Sequence, residues 1–87
     1  MSETKPIQFS QHARDQLLER NLERDWVERT LLEPEFIRED PRKDGTRRAF
    51  RQIPEAGGRW LRVVYSERDE GRFIVTVFLD RGAERWR

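Results

Sequence analysis

The 87-residue sequence contains no cysteine, one histidine, one tyrosine and only two lysines. Without cysteine there are no disulfides, no thiolate nucleophile and no zinc site of the cysteine type. A single histidine, His12, supplies too few nitrogen ligands for a transition-metal site, so neither metal nor cofactor is expected. Apolar residues are also sparse, 34% of the chain against 40% charged. That balance approaches the composition of disordered chains. Grouping argues otherwise. WLRVVY (60–65) and FIVTVFL (73–79) are apolar runs that a disordered chain lacks. Neither run approaches the roughly 20 residues of a membrane-spanning helix. The opening MSETKPIQFS holds no apolar stretch of signal-peptide length. The expectation is a cytoplasmic protein that acts away from membranes.

What is present is arginine. Sixteen of the 18 basic residues are arginine, and the net charge is +1. The charge is uneven. Residues 1–45 carry 8 basic and 11 acidic groups, net −3, and residues 46–87 carry 10 and 6, net +4. Arginine binds phosphate through a planar, bidentate fork, which lysine lacks. Arginine-favouring codons would give the same excess, but not by themselves the skew toward the C-terminal half.

The length fits one domain, residues 1–87, with short flexible ends expected at 1–6 and 82–87. A chain this small buries about 60% of its unfolded surface, so its core is thin. Ile7–Phe9 reads as an opening strand. Ser10 is placed to cap a helix whose apolar residues are Ala13, Leu17 and Leu18. Asn21 suits the left-handed end of that helix, and Leu22 can fold back on it. A second helix over about 23–33 has Trp26, Val27, Thr30 and Leu31 on one stripe, and Pro34 ends it. Helices joined so tightly are expected to pair as an antiparallel hairpin. After Pro34 the apolar period changes from 3.6 to 2. Strands are predicted at 35–39, 46–53, 59–66 and 72–80, separated by DPRKDG, PEAGG and ERDEG turns. The expected fold class is α+β: an N-terminal helical hairpin packed on one face of a curled antiparallel sheet of 3–5 strands.

Strict alternation in the last strand puts Phe73, Val75, Val77 and Leu79 toward the helices and Ile74, Thr76, Phe78 and Asp80 on the open face. The same rule puts Leu61, Val63 and Tyr65 inside and Trp60, Arg62 and Val64 outside. Arg48 shares a face with Phe50 and Gln52. Aromatics among arginines on an open sheet suit RNA, whose bases stack while guanidinium groups take phosphates. The plainer alternative covers Trp60 and Phe78 with the tail or a partner protein. His12, at the second position of the first helix, can act as a general base when neutral, or it can serve the helix end as an ordinary capping group. Tyr65 can supply an acid or a phosphate contact, or can sit at the core edge with its oxygen at the surface. No glycine-rich phosphate loop occurs, and no carboxylate pair is spaced for glycosidase work.

S-x-H-A-R at 10–14, E-R-N-L at 19–22, L-L-E-P at 31–34 and the strands W-L-R-V-V-Y and F-I-V-T-V-F together resemble the domain-of-unknown-function 4258 family. The resemblance covers about residues 9–80. The family usually has glycine where this chain has Asn21, and asparagine also tolerates that conformation. The family is similar to the RelE/ParE superfamily of bacterial toxin–antitoxin systems. The resemblance implies a helical pair on an antiparallel sheet, metal-free ribonuclease or RNA-binding activity, and a small antitoxin-like partner. The family's recurrent positions fall on His12, Arg20, Pro34 and Thr76. Basic residues on the sheet and near its C-terminal end are expected to serve RNA, here Arg48, Arg62 and Arg81. The resulting expectation is a ribonuclease with His12 as base, Arg48 and Arg62 as phosphate clamp and Tyr65 as acid or phosphate contact. Arg20, Trp60, Thr76, Phe78 and Arg81 would bind RNA or a partner. The rival expectation is a non-catalytic module that binds a small protein through the same face or the sheet edge, because exposed Trp60, Ile74 and Phe78 would call for a cover. Oligomeric state is left open.

Overall fold

A computed structural model describes residues 6–87. The elements run β1 (Ile7–Phe9), α1 (Gln11–Glu19), α2 (Arg24–Leu32), β2 (Phe36–Glu39), β3 (Thr46–Ile53), β4 (Arg59–Arg68) and β5 (Gly71–Leu79). Short 3-10 turns lie at Pro54–Ala56 and Ala83–Trp86. The expected flexible start at 1–6 lies, except for Pro6, outside the described residues.

The class is α+β, but two parts of the expected architecture are corrected. The sheet is mixed, not antiparallel. Its order is β1-β5-β4-β3-β2, and β1 runs parallel to β5, with Ile7, Gln8 and Phe9 opposite Arg72, Phe73 and Ile74. Short turns dictate antiparallel pairing for β2 to β5. No short turn constrains β1, which meets the last strand across more than sixty residues. The helices also do not act as a hairpin. α1 packs chiefly on β5 and β1, and α2 on β4 and β3. Each helix has one apolar stripe, and the sheet takes it.

Local signals explain where the helices stop. The Ser10 hydroxyl accepts from the Ala13 N–H at 3.0 Å, capping α1. At the other end Asn21 takes φ 53°, and the Leu22 N–H donates to the Leu17 carbonyl at 2.9 Å. That is a Schellman closure with asparagine in the glycine position. At the start of β5, Gly71 has φ 134°, and a side-chain carbon there would collide with the Pro6 carbonyl.

β1 is only three residues long and leaves most of the β5 edge unpaired. α1 completes it with side chains. The Ser10 hydroxyl donates to the Val75 carbonyl at 2.9 Å, and the Val77 N–H donates to Gln16 Oε1 at 2.8 Å. Gln16 is accordingly buried, whereas Leu18, expected on the core side, is 80% exposed. The same region explains a change of face. Val64 pairs with Thr76 but Tyr65 pairs with Ile74, so Val75 is a bulge. The bulge turns Ile74 into the helix-side core beside Tyr65, Val63 and Val77, which corrects its expected place on the open face. Beyond the bulge Thr76 and Phe78 face outward as alternation predicts. A smaller second cluster lies on that outer face, where the Ala83–Trp86 turn packs on Phe50 and Trp60.

Candidate functional site

Beside that second cluster, the outer face opens into a cleft of about 670 Å³. Its wall on one side is α1, where His12, Gln16 and Arg20 recur every fourth residue and form one ridge. Arg48, Arg62, Val64, Thr76 and Phe78 from β3, β4 and β5 form the floor, and Asp40, Arg42, Asp80 and Arg85 close the ends. The sequence-predicted residues His12, Arg20, Arg48, Arg62, Thr76 and Phe78 come from four segments of the chain, and all six line this one cleft. With His12 neutral, five arginines against two aspartates make the cleft net +3, more than the +1 of the entire chain.

The two central arginines are held rigidly. Arg62 donates through Nε and Nη2 to Asp80 Oδ2, and its guanidinium lies 4.7 Å from the centre of the Phe78 ring. Burial pushes the Arg62 pKa down, the Asp80 carboxylate opposes that shift, and Arg48 and Arg85 add repulsion in the downward direction. Arg48 donates through Nη2 to Asp40 Oδ1 at 3.1 Å and stacks on Trp86 at 4.4 Å. It is 3% exposed, and its Nε and Nη1 are buried with no hydrogen-bond partner. Arg20 and Arg42 are exposed and have no ion-pair partner among the described residues. The cleft thus has a fixed cationic floor and free cations on its rim. The Thr76 hydroxyl is engaged, donating to Gln16 Oε1 at 2.7 Å. His12 is exposed on the ridge.

Three expected residues lie elsewhere. Tyr65 is on the helix side of β4, almost fully buried, and burial raises its pKa. Its hydroxyl is across the sheet from the His12 cleft. Trp60 faces the outer side as expected but is covered by the C-terminal turn, so it is not the exposed apolar residue that the rival reading used. Trp60 and Arg81 instead line an adjoining pocket. Gln16, Asp40, Arg42 and Arg85 were not anticipated, and Asp80 was placed on the open face without a role. The four-residue spacing from His12 through Gln16 to Arg20 aligns Gln16 with the ridge, but nothing in it announces an acceptor for β5. Asp40 sat within a turn-forming string, and nothing in its neighbourhood announces Arg48 as its partner.

Among the described residues no cluster of three or more histidine, aspartate or glutamate side chains is arranged to hold a metal ion, and no helix is long and apolar enough to cross a membrane. Comparisons with curated proteins and with solved structures give no match. Residues 9–79, which carry α1, α2, the whole of β2 to β5 and every residue of the cleft except Asp80 and Arg85, match the domain of unknown function DUF4258, and the chain belongs to that family.

Proposed function

We propose that the outer-face cleft binds RNA and cleaves it without a metal, as a RelE/ParE-like toxin domain. The observation that carries the reading is the convergence of His12 with five arginines and the Phe78 ring in a single cleft. An RNA strand offers a repeating anion and flat bases, which guanidinium groups beside the Phe78 ring suit. In the proposed reaction His12 takes the proton of a ribose 2′-hydroxyl, and that oxygen attacks the adjacent phosphorus. The bond from phosphorus to the 5′-oxygen breaks, leaving a 2′,3′-cyclic phosphate, and the departing oxygen takes a proton from solvent. Arg48 and Arg62, fixed by Asp40 and Asp80, oppose the charge that builds on the phosphoryl oxygens. Tyr65, on the far side of β4, has no part in this scheme.

The test is incubation of the protein with a long RNA in excess chelator, alongside His12→Ala. The expected result is cleavage to cyclic-phosphate ends by the parent and a loss of about 10²–10⁴-fold in the variant, the usual contribution of a general base. Full activity in His12→Ala removes the histidine from the chemistry. Salt-sensitive RNA binding without cleavage leaves only the binding half.

A second reading, a non-catalytic module holding a small antitoxin-like protein, is favoured by a different observation. Leu18, Leu32 and Ile37 are exposed large apolar side chains, and β2, which carries Ile37, is a sheet edge. Failure to bind RNA would favour it.

A further inference from the structure

The pocket that adjoins the cleft has a volume of about 570 Å³, within the range of small-ligand sites, roughly 300–1,000 Å³. Three arginines from separate elements converge on it: Arg20 at the end of α1, Arg59 at the start of β4 and Arg81 just after β5. Leu22, Trp60 and Leu79 supply an apolar wall. Its one carboxylate, Asp80, is already committed, accepting from Arg62 and from the Gly82 N–H at 2.8 Å. Arg20 and Asp80 line both this pocket and the cleft, so the two spaces meet along that pair. Their combined lining carries seven arginines against two aspartates, net +5 in a chain of net +1.

We propose that this pocket is a second nucleotide subsite, seating the base and phosphate of the residue next to the one held in the cleft. The inference rests on the RNA reading of the cleft and extends it. An apolar wall faced by three cations suits a flat base joined to an anion, whereas an inorganic ion would need no such wall. Asp80 then has two roles: it fixes Arg62 in the cleft floor and keeps the subsite's only carboxylate turned away from the strand. Arg20, shared by both spaces, would lie between the two phosphates.

The test is the anisotropy of a labelled single-stranded oligoribonucleotide titrated with the parent, Arg59→Gln, Arg81→Gln, the double variant and the cleft variant Arg42→Gln, each over a range of salt. The double variant should bind about tenfold more weakly. Its slope of log affinity against log salt should be shallower by about 1.4, roughly 0.7 for each lost phosphate contact on a single strand. Arg81→Gln alone should show about half that change, and it keeps the test open if loss of the Arg59 bond to the Ala56 carbonyl perturbs folding. A loss in Arg42→Gln with none in the double variant overturns the subsite and leaves the cleft reading standing. No loss in any variant overturns both. Equal weakening toward polyglutamate shows unselective attraction for anions and also overturns the subsite.

Discussion

The Gln16 carboxamide oxygen accepts from two donors of β5, the Val77 N–H and the Thr76 hydroxyl, and the first is buried. No other residue of α1 reaches these groups. Replacement by leucine keeps the volume and removes the acceptor, leaving a dry N–H at a cost of about 1–3 kcal/mol. Gln16→Leu should therefore lower stability by that amount in urea unfolding, with Thr76→Val adding little because the two changes remove one network. A Gln16→Leu protein as stable as the parent would mean that β5 finds its edge partner elsewhere. Residue chemistry of this kind was half legible. Ser10 as cap and Asn21 as left-handed stop followed from their side chains alone. Gln16 did not, because a glutamine on a helix is ordinarily solvated and only a neighbouring unpaired strand edge makes it a structural acceptor.

Between elements, an exposed polar tie runs from α2 to the turn after β3. Arg29 forks onto Glu55 at 2.9 and 2.8 Å and onto Asp25 at 2.7 Å. Hydrogen bonding from Arg29 is the largest cause that lowers the Glu55 pKa to about 2 from its ordinary 4.5, and Arg29 is itself pushed further up, so it stays charged throughout. A carboxyl with a depressed folded pKa stabilises the fold above its unfolded pKa and loses that contribution as pH falls through the folded one. The contribution should be complete above about pH 5 and fade between about 4.5 and 2. Glu55 is largely exposed, so the effect is small and screened by salt. Thermal unfolding across this window should show a shallower acid decline in Glu55→Gln than in the parent, and matching profiles would remove the pair from the acid limb. At this scale element bounds were legible in the sequence and pairing partners were not. Thr46–Ile53 was read to the residue, because apolar periodicity and turn-forming strings act locally. The parallel pairing of β1 and the bulge at Val75 depend on contacts far apart in the chain.

Across the whole molecule, charge and cover are distributed in a way that no single element shows. The sheet has a large core under the helices and a small one under the C-terminal turn, where Ala83 is fully buried and Trp86 lies against Arg48 and Arg62. Deleting residues 82–87 should uncover Phe50 and Trp60 and lower stability by about 1.5–3 kcal/mol, the worth of one large buried apolar side chain. The readouts are the urea midpoint and binding of a hydrophobic dye. Unchanged values in both would show that the turn is not a cover. The local elements, the α+β class and the supply of arginine are all legible in the residues, since capping, periodicity and turn chemistry act within a few positions. Contacts between distant segments settled that α1 would finish the β5 edge, that Ile74 would turn inward at the Val75 bulge, and that His12 and the arginines would share one cleft. Each of these is a matter of register and burial between distant segments, and local chemistry leaves both open.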